Sequence, residues 1–186
     1  MISEQAYQNA AKQLGCEVAA IKAVAEVESS GGGMLPDGKP KILFEPHIFW
    51  LELVERGIKP VRSDICYPKW QTGKYGSVNA QHGRLERATA INREAALESC
   101  SWGMFQIMGF NWGKTGVKSL QEFVNEMYKG EDAQLQLFVN YIIRVGLADE
   151  IQSKRWAAFA SQYNGKGYAK NKYDTKLAAA YRKYSK

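Results

Sequence analysis

Apolar residues recur at helical spacing over residues 4–14 and again over 17–29, where Val18, Ile21, Val24 and Ala25 fall on one face. Gly15 separates the two segments. After Ser29 and Ser30 the run Gly31, Gly32, Gly33 sustains a helix poorly, so the second helix is predicted to stop there. LPDGKPKILFEP, residues 35–46, then reads as a tight hairpin around Asp37 and Gly38, with Lys41 to Glu45 as its second strand. Pro46 suits the first position of a helix running through Ile48, Trp50, Leu51 and Val54 to Gly57.

Residues 58–79 hold Pro60, Pro68, Gly73 and Gly76 with scattered aromatics and no clean period, which predicts an ordered loop or small lobe. Helical spacing returns at about 80–92 and 93–99, and WGMFQIM, residues 102–108, reads as a short apolar helix. Ser119 caps a helix over 120–128, Leu135, Phe138, Val139 and Ile142 mark the buried face of one ending at Gly146, and two more are expected near 154–162 and 174–184. Neither an internal repeat nor a low-complexity linker interrupts the pattern. The predicted fold class is mostly α, an α+β arrangement of helices with one small β-hairpin, as a single domain over 1–186.

At 186 residues such a chain buries about two thirds of its unfolded surface. The 45% hydrophobic and 24% charged residues are those of a globular protein and exclude a disordered one. No apolar run approaches the roughly 18–20 residues that span a bilayer, and MISEQAYQNAAKQLGCE lacks the zones of a signal peptide, so a cytosolic chain is expected. Cys16, Cys66 and Cys100 are an odd set without CxxC spacing, and His47 and His82 are the only histidines. Buried thiols are expected, with no disulfide framework, no metal site and no other cofactor.

The net charge of +6 points to an anionic partner: nucleic acid, a lipid surface or an acidic polymer such as a cell wall. Residues 166–186 concentrate it, with Lys166, Lys170, Lys172, Lys176, Arg182, Lys183 and Lys186 against Asp174.

Candidate chemistry starts at Glu28, which lies seven residues after Ile21, four after Val24 and three after Ala25, on the apolar face that Glu26 does not share. A carboxyl there is partly desolvated, its pKa rises, and it can stay protonated as a general acid must. Asp37, in a polar Pro-Asp-Gly turn, should stay ionised. Two carboxyls with pKa values pushed apart are the pattern of glycoside hydrolysis. From spacing alone, a solvated helix-end glutamate and an ordinary Asp-Gly turn is still the favoured reading.

Glu28-Ser29 at a helix end is similar to the Glu-Ser signature of the lysozyme superfamily, and the interval to Asp37 resembles that of phage-type lysozymes. One position departs from them: the threonine they carry beyond the aspartate is Leu43 here. SCSWGMFQIMGFNW, residues 99–112, resembles the Ser-x-Gly-x-x-Gln-Ile block of goose-type lysozymes and lytic transglycosylases, with Ser101, Gly103, Gln106 and Ile107 in the matching places. FASQYNGKGYAK, residues 159–170, resembles their Tyr-Asn-Gly segment. In order, AEVESSGG, KILFEPHIFW, AALESCSWGMFQIMG and ASQYNGKGY resemble the phage endolysin N-acetylmuramidase family over nearly the whole chain.

The resemblance implies a lysozyme-like fold and cleavage of the β-1,4 bond between N-acetylmuramic acid and N-acetylglucosamine in peptidoglycan. Glu28 would be the proton donor, and Asp37 would position water or stabilise the oxocarbenium-like transition state. Ser29, His47, Gln106, Tyr163 and Asn164 would bind sugar. Trp102 and Trp112 could stack on sugar rings or pack in the core, and Glu94 and Glu98 are read as solvated. The family further implies a monomer that waits in the host cytoplasm until a separate protein permeabilises the membrane.

Rival readings remain. A lytic transglycosylase shares the Glu-Ser and Gln-Ile blocks and needs no water-directing aspartate, so Asp37 argues for hydrolysis. A chitinase would suit neutral chitin, whereas a basic surface suits anionic murein. A nucleic-acid module lacks any supporting helix-turn-helix, zinc or RNP block. Tyr173, Leu177, Tyr181 and Tyr184 fall at helical spacing, as in a packed helix with a solvated basic face. A non-catalytic wall-binding domain is the better binding alternative.

Overall fold

The computed structural model describes every residue except Ser30, Thr72 and Lys166, so the Lys166 member of the basic tail lies outside the described residues. Among the described residues, five α-helices fill the stretch before residue 99: α1 (Glu4–Leu14), α2 (Val18–Glu28), α3 (Pro46–Glu55), α4 (Gln81–Thr89) and α5 (Arg93–Glu98). Five follow it: α6 (Leu120–Lys129), α7 (Glu131–Arg144), α8 (Ala148–Gln152), α9 (Trp156–Tyr163) and α10 (Tyr173–Tyr184). A small antiparallel sheet of order β1-β2-β3 is formed by Ile42–Phe44, Cys100–Trp102 and Ile107–Met108.

Local chemistry accounts for four of the helix starts. Ser3, Asn92 and Ser119 each accept a backbone N–H of the first turn of α1, α5 and α6, at 3.2, 2.9 and 3.1 Å. Pro46 opens α3 as predicted, where its missing N–H costs nothing. The helices close on a core in which Phe44, Phe49, Trp102, Phe123, Phe138 and Phe159 are fully buried. Phe105 stacks on Phe138 with ring centres 4.2 Å apart, and Tyr163 stacks on Phe159 at 5.4 Å.

WGMFQIM does not form the expected helix. Its first residue ends β2, residues 103–106 turn, and Ile107–Met108 is β3. Gly103 at φ +68° and Gln106 at φ +50° are left-handed, which breaks a right-handed helix, and Ile42 and Ile107 both stand opposite Trp102 in the ladder. A short apolar run fits strand or helix equally, and here the partner strand decides.

The Asp37 turn forms as read: Leu35 N–H donates to Lys39 O at 2.7 Å and Gly38 N–H to Leu35 O at 3.0 Å. Its two arms, however, share only the isolated bridge between Met34 and Pro40. Pro36 and Pro40 have no N–H for a ladder, and β1 instead pairs with β2, Phe44 opposite Cys100.

The aperiodic stretch 58–79 is tied to the core rather than free of it. Ile65, Cys66 and Tyr67 are buried, and Arg84 of α4 donates to the carbonyls of Asp64, Lys74 and Tyr75. Gln81 bridges as well, donating to Tyr75 O at 2.6 Å and accepting from Phe44 N–H of β1 at 3.1 Å. The helix expected at 80–92 is the shorter α4, and α8 was not foreseen.

Cys66 and Cys100 are buried and Cys16 half-buried, all three as free thiols. Burial pushes the Cys16 thiol up to about 11. Among the described residues no group of three or more His, Cys, Asp or Glu could hold a metal, and no helix is long and apolar enough to cross a membrane.

A Cβ on Gly103 would meet the Gln134 side chain at 2.7 Å and the Met127 sulfur at 2.9 Å, whereas one on Gly38, at φ +82°, would meet nothing within 4 Å. Gly103→Ala is therefore expected to destabilise the protein by about 2–4 kcal/mol, through overpacking added to left-handed strain. Gly38→Ala carries only the strain, about 1–2 kcal/mol. Thermal or urea denaturation of both variants checks the order; equal losses would refute the close approach at Gly103.

Candidate active site

Glu28 is the last residue of α2, and Ser29 caps the helix with its N–H on Ala25 O at 3.0 Å. Ile21, Val24 and Ala25 on the same face are buried, so the carboxyl is held half-buried where the sequence placed it. Burial pushes its pKa above 4.5, and a hydrogen bond from Asn164 pulls against that shift.

That bond, Asn164 Nδ2 to Glu28 Oε1 at 3.0 Å, joins positions 136 residues apart. Asn164 caps α9, its own N–H on Ala160 O, so the end of that helix sets where its amide points. The preceding residue, Tyr163, donates its hydroxyl to Phe105 O at 2.8 Å and thereby fixes the β2–β3 turn. Burial, with Glu28 and Tyr141 close by, holds the Tyr163 hydroxyl well above its ordinary pKa, so it stays a donor.

The turn it fixes carries Gln106. The Gln106 amide donates to Gly103 O and accepts from Ser101 Oγ, both at 2.8 Å. Gln106 lines a groove of about 220 Å³ with Lys41, Leu43, Gln81 and Met104 among its neighbours. Leu43 gives that wall a methyl surface. Of the residues singled out in the sequence, Glu28, Ser29, Asn164, Tyr163 and Gln106 are thus linked through two hydrogen bonds and adjacent positions.

Asp37 and His47 stand outside that linkage. Asp37 is exposed, accepts from Lys39 N–H at 3.1 Å and pairs with Lys39 Nζ at 3.1 Å. The Lys39 backbone bond first, and its ammonium after it, hold the carboxyl below its ordinary pKa. The two carboxyls are therefore pushed apart in pKa as expected, yet Asp37 bonds to none of the residues around Glu28. His47 Nδ1 is buried 3.4 Å from Glu45 Oε2 without a hydrogen bond, and Glu45 Oε2 instead accepts the Tyr75 hydroxyl at 2.6 Å. His47 is not among the residues that line the groove.

Of the two roles left open for Trp102, the structure shows core packing, and the reading of Glu98 is corrected. Trp102 is 1% exposed, with its indole N–H on Leu97 O at 3.0 Å, and so has no face for a sugar. Glu98 is not solvated: it pairs with Arg56 and accepts the indole N–H of Trp112 at 3.1 Å. The sequence reading missed Gln134 and Glu131 of α7, which hold the glycine run that follows Glu28. Glu131 accepts Gly33 N–H at 2.7 Å, and Gln134 Nε2 donates to Gly33 O at 3.2 Å. The available signal was a glutamine four residues before Phe138, on the apolar face of its helix.

No curated protein sequence matches the chain. The crystal structure of the Burkholderia AP3 phage endolysin is 41% identical, with a TM-score of 0.91, and the match covers 98% of this chain and 70% of that one. The sequence profile of the N-acetylmuramidase family matches residues 17–185. With that match, over a lysozyme-like helical fold whose half-buried Glu28 is held by an amide, the chain belongs to the N-acetylmuramidase family and is a glycoside hydrolase.

Proposed function

We propose that this peptidoglycan hydrolase cleaves the β-1,4 bond between N-acetylmuramic acid and N-acetylglucosamine with Glu28 as its general acid, residues 1–186 acting as one catalytic domain. The half-buried Glu28 carboxyl bonded to Asn164 is the observation that carries the proposal. Because Oε1 accepts the amide N–H, the acidic proton belongs on Oε2, from which it passes to the glycosidic oxygen as the bond breaks. The carboxylate left behind keeps the Asn164 bond, which grows stronger with the charge.

Gln106, Ser29 and Asn164 then hold sugar substituents, Tyr163 positions the turn that carries Gln106, and His47 contributes at most from the side of Glu45. Asp37 supplies the second carboxylate, ionised at all working pH, to direct water or stabilise positive charge at the anomeric carbon. The exposure of Asp37 and its pairing with Lys39 favour a second reading, a lytic transglycosylase that uses Glu28 alone. The exposed Lys170, Lys172, Lys176, Arg182 and Lys186 draw the enzyme to anionic envelope polymers, which it reaches after a separate protein opens the membrane.

Glu28→Gln is expected to lower the rate of muropeptide release about 10²–10⁴-fold while the fold persists. Mass spectrometry of the wild-type products separates the two readings. Reducing N-acetylmuramic acid ends mean hydrolysis, and accompanying loss of rate in Asp37→Asn assigns Asp37 its role. Ends lighter by one water mean transglycosylation.

The raised pKa of Glu28 has a sign in stability too. The folded chain keeps a proton that the unfolded chain has released above 4.5, so stability falls as pH rises from 4.5 through the raised value. Glu28→Gln should therefore melt above the wild type at neutral pH, with the difference vanishing below pH 4.5. A lower Tm for the variant at neutral pH would contradict burial as the cause of the shift.

Asn164→Ala removes the bond that favours the charged carboxylate. The Glu28 pKa then rises, so the alkaline limb of the pH–rate profile should move to higher pH as the maximal rate drops. An unmoved limb would mean that another group sets it.

A further inference from the structure

A cavity of about 700 Å³ opens beside the Gln106 groove, and Gly76 stands in the walls of both. Arg62, Lys74, Arg84 and Arg87 line it against a single carboxylate, Asp64. Asp64 is already taken, by both terminal nitrogens of Arg87 at 2.7 and 3.1 Å. Arg84 is 8% exposed, and its guanidinium is spent on three backbone carbonyls, which bond it without cancelling its charge. The exposed side chains of Arg62 and Lys74 form no hydrogen bond or ion pair among the described residues.

An independent feature points the same way. Tyr67 lines this cavity, is 5% exposed, and its hydroxyl has no hydrogen-bond partner. A buried hydroxyl left unbonded costs about 1–3 kcal/mol, so nearly every such group in folded proteins has a partner. An anion entering the cavity would supply an acceptor to it and to the two unengaged cations.

The proposed function identifies that anion. A peptidoglycan strand is a chain of N-acetylated, uncharged sugars, and its muramic lactyl group is tied up in an amide. Its carboxylates lie on the peptide stem that branches from the lactyl carbon. A groove with a cationic chamber at its side has the same layout. Resting on the muramidase reading, we infer that the Arg62–Lys74–Tyr67 cavity receives a stem carboxylate while the glycan lies along the Gln106 groove, so that the enzyme selects stem-bearing strands.

Arg62→Gln/Lys74→Gln is the variant of choice, since neither side chain makes a contact whose loss would unfold the loop. It is assayed beside the wild type on two soluble substrates: uncrosslinked glycan strands with intact stems, and the same strands with every stem carboxylate converted to an amide by carbodiimide and ammonia. The expected result is a kcat/KM about tenfold lower for the variant than for the wild type on intact strands, and equal values on amidated strands. Tyr67→Phe should lower the intact-strand value alone by a smaller factor. A loss that is the same on both substrates, or no loss on either, overturns the inference while leaving the muramidase reading in place. A wild type that releases no muramic ends from either substrate fails the muramidase reading itself, and the inference with it.

Discussion

The buried side-chain amide of Gln134 is the constraint on which the geometry around Glu28 depends. Its nitrogen donates to Gly33 O and Met127 O, at 3.2 and 3.0 Å, while its oxygen accepts Met104 N–H at 2.8 Å. One residue thus pins the chain leaving the acid helix against the turn that carries Gln106. Both sides must come close: a Cβ on Gly33 would lie 1.9 Å from the Gln134 oxygen and one on Gly103 2.8 Å from it. The glycines therefore do more than end a helix. They let two backbones reach one amide, and every backbone group left without it would cost about 1–3 kcal/mol.

Around that anchor, charge is sorted by burial. Glu28 faces the core side of α2 and holds its proton the longer for it, whereas Glu26, two positions earlier, faces outward and pairs with Lys183 at 2.6 Å. The basic C-terminal stretch is accordingly a structural element as well as a charged one. Leu177 and Ala180 of α10 are buried, and Tyr181 donates to Glu17 at 2.6 Å next to the start of α2. The exposed Lys176 and Arg182 project from a helix whose other side supports the helix that carries the acid.

Much of this was legible along the chain because its causes are local. Ser3, Asn92, Ser119 and Pro46 mark helix starts within a turn of themselves, and the position of Glu28 on an apolar face follows from a period of 3.6 residues. What escaped depends on partners far away. β2 and β3 look like a helix until β1, some sixty residues earlier, is laid beside them. Gln134 reads as one more polar residue until Gly33 arrives from 101 positions away. Trp102 stayed undecided and Glu98 was misjudged for the same reason: Phe123 and Arg56, which pack against the one and pair with the other, give no local sign. Glu28, Asn164, Tyr163 and Gln106 were found as residue types in motifs, but the hydrogen bonds joining them are properties of the folded chain alone.

The support of α2 by α10 has a consequence for the timing of synthesis. Glu26 waits 157 positions for Lys183, and Glu28 waits 136 for Asn164. A ribosome that has reached residue 150 has made the whole acid-bearing helix and not yet Asn164, which positions its carboxyl. Contacts this distant in sequence form late. A still-emerging polypeptide that has not reached residue 164 therefore carries the acid without its amide partner, and the acid site is assembled only after that residue has been made.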